Sequence, residues 1–167
     1  MTGGFNADYG GRISAVVDLK TREGDKKRFG GVVGANPFQA NVLLEGPIVP
    51  LNVETGTSVS FLVTGKHSYI DQTSPNLYPY INENDSIALP FSFTDLYGKI
   101  SLVSGNGSKV DVFGFNFQDE VDFPDLATLD WTTQGAGLRF SLIPNNSAAI
   151  MEGNFSYSDY ELSLIHI

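Results

Sequence analysis

Residues 94–117, "TDLYGKISLVSGNGSKVDVFGFNF", decide how the rest of the chain is read. In the first half Leu96, Gly98, Ile100 and Leu102 share one parity while Lys99 and Ser101 take the other. That is the period-two pattern of a strand with one apolar and one wet face. "SGNGSK" then supplies the glycines and asparagine of a tight turn, and a second strand starts at Val110. In it Val110 and Val112 share a parity that Phe113, Phe115 and Phe117 do not, so a bulge near Phe113 is expected to bring them onto one face.

The same alternation extends in both directions. Val42, Leu44, Gly46 and Ile48 share a parity, as do Val59, Phe61 and Val63, and Ala136, Leu138, Phe140 and Leu142; Asn41, Glu45, Ser58, Ser60, Arg139 and Ser141 take the opposite one. Strands are expected over residues 13–21, 29–35, 41–48, 58–65, 94–103, 110–118, 132–143 and 149–157, with no amphipathic helix. The fold class that follows is all-β, an antiparallel up-and-down sheet. Residues 104–109 and 143–148 read as tight turns, residues 66–90 and 119–130 as longer polar loops. A chain that threads up and down through an outer membrane alternates short and long connections in this way around strands of about ten residues. A soluble sandwich also admits the alternation.

Composition narrows the classes. The 167 residues suffice for one domain with a core, and 18 glycines, 12 phenylalanines and 7 tyrosines favour short strands and tight turns. The absence of cysteine excludes disulfides and thiolate metal sites. A formal net charge of −9, with only Lys26, Lys27 and Arg28 adjacent among the basic residues, argues against a nucleic-acid partner. No apolar run reaches the roughly 18 residues of a membrane helix, and "MTGGFNADYGG" lacks the regions of a signal peptide.

Several stretches, taken in order, resemble the TonB-dependent outer-membrane receptors, particularly their Bacteroidetes-type members. "DYGGRISAVVDLKTREGD" at residues 8–25 resembles the strand that ends the plug domain and leads into the barrel. "NVLLEGPI" and "TSVSFLVTGKHSYID" resemble the opening barrel hairpin, and "FSFTDLYGKISL", "KVDVFGFNF" and "GAGLRFSLIPNNSAAIMEGNFSYSDY" the strands after it. The resemblance runs over residues 8–161 and rests on order and spacing rather than on one diagnostic motif. It implies that residues 1–24 end a plug, and that residues 25–161 form the N-terminal part of the barrel, about seven strands. The fold would then be an open arc of a transmembrane β-barrel preceded by the last plug strand, within a wall of 22 strands. The last six residues, "LSLIHI", look like a translated sequencing adapter, so residues 162–167 are expected to be an artefact; the alternative is a true terminal strand with Leu162, Leu164 and Ile165 buried.

The resemblance further implies a function: uptake of a scarce nutrient (siderophore, cobalamin, glycan or peptide) across the bacterial cell outer membrane, driven by the TonB complex acting through an upstream box. Outer-membrane lipid is then a second partner, no cofactor is expected, and the chain is not expected to be an enzyme. Arg12 and Asp18 become candidate plug–barrel contacts, and Glu45, on the wet parity, a lumen-facing group able to pair with the plug. Tyr69, Tyr78 and Tyr80 in the long loop are candidate ligand contacts, against a packing or girdle role.

Other chemistry is weaker. Of the two histidines, His67 reads as a surface residue and His166 lies in the tail, which leaves no nucleophilic triad. Asp119, Glu120, Asp122 and Asp125 could run glycoside hydrolysis or collect calcium, but match no calcium loop and read as a solvated hairpin. The competing function is a soluble all-β carbohydrate-binding module with Tyr78, Tyr80 and Trp131 as a stacking platform. The two readings differ in where Val42, Leu44, Val59, Phe61, Ile100, Leu102, Leu138 and Phe140 point: into one closed core for the module, outward to lipid for the transporter.

Overall fold

The computed structural model describes residues 20–78, 89–123, 126–145 and 149–166. These form seven strands, β1 (Gly30–Ala35), β2 (Gln39–Val49), β3 (Ser58–Ser68), β4 (Phe91–Val103), β5 (Lys109–Phe123), β6 (Ala127–Leu142) and β7 (Met151–His166), with one helix, α1 (Ile70–Leu77), between β3 and β4. Every strand pairs antiparallel with its chain neighbour, so the order β1-β2-β3-β4-β5-β6-β7 is an all-β up-and-down sheet with β1 and β7 at its edges. No described helix is long and apolar enough to cross a membrane, which says nothing of strands.

Seven of the eight expected strands have their centres in place and differ only at their ends; of the first, expected over residues 13–21, residues 13–19 lie outside the described residues and residues 20 and 21 are not strand. β5 continues to Phe123 and β6 begins at Ala127, so residues 119–130 are mostly strand and not a long loop. The connections are residues 36–38, 50–57, 69–90, 104–108, 124–126 and 143–150, and only 69–90 is long. The regular alternation of short and long connections is therefore absent: the polar residues of 119–130 keep their backbone ladder, which needs no apolar side chains.

No bulge occurs at Phe113 either. Its partners run without interruption from Phe91↔Val121 to Val103↔Lys109 on one side and from Lys109↔Ser141 to Phe123↔Ala127 on the other. Phe113 and Phe115 instead face the same side as Lys99, directly opposite Gly137 and Gly135. Their rings lie over those glycines: a Cβ on Gly135 would come within 2.7 Å of Phe115 Cζ, and one on Gly137 would collide with Phe113. Cross-strand glycines let β5 carry a second apolar parity without a register shift.

Because directly paired residues share a face, register sorts the side chains into two sets. On one face Ser58, Ser60 and Leu62 of β3, Lys99 and Ser101 of β4 and Asp111 of β5 are buried, covered by residues 20–28. On the other, Leu44, Val63, Leu96, Ile100, Leu102 and Val112 remain 42–51% exposed. Leu62 and Pro47 are the only buried apolar side chains among the described residues. The sheet is thus polar where it is covered and apolar where it is bare.

Helix α1 is unexpected from the sequence, since it carries Pro75 and spans only eight residues. Its contacts with the β1–β2 turn account for it: Tyr69 Oη donates to Asn36 O, Thr73 Oγ1 to Pro37 O at 2.6 Å and Ser68 Oγ to Phe38 O at 3.3 Å. At the opposite end of the sheet the connections 50–57, 104–108 and 143–150 are joined. Asn106 Nδ2 donates to Ile143 O at 2.8 Å, Ile143 N to Ser108 Oγ at 2.9 Å, and Gly56 lies against Gly105 backbone to backbone. β7 runs on through residues 162–166, where Leu162, Leu164 and Ile165 are strand-paired yet 57%, 66% and 56% exposed.

Candidate functional site

The best-defined constellation is the seat of residues 20–28 on the polar face. Asp25 starts it: its Oδ1 accepts from the backbone N–H of Lys27 at 2.7 Å and of Arg28 at 3.0 Å, which bends the segment away from β1 and back across the sheet. Gly24 is buried against the Phe61 carbonyl of β3, where any Cβ would collide with backbone. Only glycine lets the segment approach so closely.

Each residue before Gly24 then holds a different strand. Thr21 Oγ1 and Tyr97 Oη share a hydrogen bond of 2.6 Å, and Thr21 O accepts from Lys99 Nζ at 3.1 Å. Arg22 makes a two-pronged ion pair with Glu45 of β2, at 2.5 and 2.8 Å. Glu23 takes Lys109 of β5 at 2.5 Å and its own neighbour Lys26 at 2.7 Å. Lys99 and Lys109 both lie 3.3 Å from Asp111 Oδ2, so the network continues into the sheet.

The electrostatics follow from these partners. Burial pushes the Glu23 carboxyl up, but hydrogen bonds from the Lys109 and Lys26 ammonium groups outweigh it and hold the pKa below the usual glutamate value. The backbone N–H groups of Lys27 and Arg28 hold Asp25 below its usual value in the same way. Ser58 Oγ, Ser60 Oγ, Ser101 Oγ and Asp111 Oδ1 are buried without a hydrogen-bond partner. Ser60 faces Ser101 and Ser101 faces Asp111, so these three form one polar row across three strands, with Ser58 two residues along β3 opposite Val103. Beside the seat a cavity of about 510 Å³ is lined by Thr21, Tyr97, Lys109, Phe113, Phe115 and Arg139 among others. An aromatic floor with cations at its rim can hold an elongated amphipathic segment.

The residues singled out from sequence fall in different places. Glu45 lies on the covered face and is held by Arg22. Arg12, Asp18 and Tyr80 lie outside the described residues. Tyr69 and Tyr78 belong to the loop packed on the β1–β2 turn, the first through its hydroxyl and the second stacked on Phe38 with ring centres 6.5 Å apart. Trp131 is on β6, four strand spacings from β2 or roughly 19 Å, so Tyr78 and Trp131 do not form one platform.

Asp119, Glu120 and Asp122 are on β5 and alternate faces, and Asp125 lies outside the described residues. Asp122 accepts from Thr128 Oγ1 at 2.7 Å, and Glu120 faces Asp130. Among the described residues no group of three or more His, Cys, Asp or Glu is placed to hold a metal. His67 Nδ1 shares a 2.9 Å hydrogen bond with Thr94 Oγ1. Sequence reasoning missed Thr21, Arg22, Glu23, Lys109 and Asp111. The usable signal was a charge on the wet parity inside a strand, which Lys99 and Asp111 both carry.

No protein-family profile, curated protein or solved structure matches this chain.

Proposed function

We propose that this chain is a segment of the wall of a TonB-dependent outer-membrane transporter, with residues 20–28 the junction where the plug enters the barrel. The observation that carries the reading is the inverted sheet: a bare apolar face opposite a polar face occupied by an ion-paired segment. On β6 the bare-face positions Ala136, Leu138, Phe140 and Leu142 give way to Gln134, Thr132 and Asp130. That apolar stretch is about 20 Å long measured along the strand, which a tilt of about 40° turns into about 15 Å of the roughly 25 Å height of an outer-membrane barrel's apolar band. Tyr157, 70% exposed and opposite Ala136, stands at its end, where interfacial rings belong, and Phe155, 68% exposed and opposite Leu138, lies within it.

In this reading loops and plug capture a nutrient, TonB-transmitted energy loosens the plug, and the network at Glu23, Lys109 and Asp111 is part of what must loosen. A soluble carbohydrate-binding module requires the bare-face residues to close on a core, and gains no support from their exposure. The chain's lack of cysteine makes the test clean. Single cysteines at Ile100, Leu138, Ser60 and Ser101 are introduced into the gene that carries this segment, and outer membranes are labelled with lipid-soluble and water-soluble thiol reagents. Lipid-phase labelling confined to Ile100 and Leu138 is expected; water-phase labelling of those two refutes the reading.

A further inference from the structure

We infer that the corner where residues 20–28 turn into β1 is a docking site for an anionic phospholipid of the leaflet at the end of the sheet that carries connections 50–57, 104–108 and 143–150; this rests on the membrane reading above. Asp25 takes the backbone N–H groups of Lys27 and Arg28, and the bend leaves both side chains exposed. Among the described residues neither has a carboxylate within ion-pair distance, whereas Arg22, Lys26, Lys99 and Lys109 are all paired. The next residue, Phe29, is 74% exposed and lies over Gly46 on the bare face. Ile48, near the end of β2, and Val53, in the connection that follows, are 54% and 90% exposed.

Position fixes which leaflet. Leu51 N donates to Lys26 O at 3.0 Å, which places the corner beside the β2–β3 connection, at the end where residues 104–108 and 143–145 are also joined. The acidic residues of β5 and β6, Asp119, Glu120, Asp122 and Asp130, are at the opposite end. A chain of net charge −9 therefore offers an adjacent pair of unpaired cations only here among the described residues, flush with an apolar surface. A headgroup phosphate fits between Lys27 and Arg28 with its acyl chains along Phe29 and Ile48. A protein partner would leave the bare face beyond the corner uncovered.

The test is flotation of the full 167-residue chain with vesicles of phosphatidylcholine alone or with phosphatidylglycerol added. A cation near an anionic surface strengthens binding about fivefold, so Lys27→Gln/Arg28→Gln is expected to lose about 25-fold in partitioning onto the anionic vesicles. It should lose nothing on the neutral ones, and the difference should collapse in 1 M salt, where screening acts within about 3 Å. Lys66→Glu lowers the net charge by the same amount at the other end and should change little. Equal losses on both vesicle types, no loss on anionic vesicles, or an equal loss in Lys66→Glu would each overturn the inference while leaving the membrane reading standing. A wild-type chain that binds neither vesicle overturns both.

Discussion

Replacing Asp111 by asparagine removes the anion shared by two lysines and leaves the shape of the sheet intact. Lys99 is the exposed consequence: it is 6% accessible, its ammonium lies 3.3 Å from Asp111 Oδ2, and its other partner is the Thr21 carbonyl. At an effective dielectric of about 20 a pair at that distance attracts by about 5 kcal/mol before desolvation is counted. Lys109 keeps Glu23, so the loss falls on Lys99. Breaking a buried pair by removing one partner costs about 3–5 kcal/mol, because a charge is left without compensation. Removing both charges is milder, and Lys99→Met with Asp111→Asn is expected within about 2 kcal/mol of wild type. The assay is urea unfolding of the chain in phosphocholine bilayers, with all four members of the cycle compared at equal slope. A loss below about 1 kcal/mol for Asp111→Asn, or a double variant that loses the sum of the singles, would refute the claim that this pair is buried and coupled.

Gly24→Ala places a methyl group against the Phe61 carbonyl, and overpacking of this kind costs about 1–3 kcal/mol; trypsin should then cut at Arg22 or Lys26 far faster than in wild type, and unchanged cleavage would contradict the close approach. Glu23 has a depressed pKa, so its contribution is complete above the unfolded glutamate value of about 4.3 and fades as pH falls through the lower folded value. A urea midpoint that drops on acidification below that value, with the drop reduced in Glu23→Gln, is the expected titration. Tyr69→Phe deletes the hydroxyl that donates to Asn36 O and should loosen α1 by about 1 kcal/mol, seen as faster amide exchange in residues 70–77 with the strands unaffected.

Most of the sheet is legible because its two faces differ in chemistry. Leu96, Gly98, Ile100 and Leu102 against Lys99 and Ser101 suffice to place β4, its faces and the turn after it. Legibility fails where the strands carry polar residues on both sides: Asp119, Glu120 and Asp122 look like loop, yet pair in register with Trp131, Asp130 and Thr128. It fails again at Phe113 and Phe115, whose parity makes sense only beside Gly137 and Gly135, distant in sequence. α1 has no stripe to announce it and exists through contacts with the β1–β2 turn. For the site, parity alone marks Glu45 as facing away from the apolar set. Its partner Arg22, and the match of Glu23 with Lys109, depend on how a glycine-hinged segment crosses strands, which local pattern does not encode.

That crossing has a mechanical side. Thr21, Arg22, Glu23 and Gly24 are consecutive, and each grips a different strand: β4, β2, β5 and β3. A pull applied upstream of Lys20 would meet these grips in series and open them one after another, as a zipper does. The same pull borne by the sheet would load the long β5–β6 and β6–β7 ladders in parallel. The segment would peel at low force while the wall stays whole, and the joined turns beneath it would spread whatever load arrives at the rim.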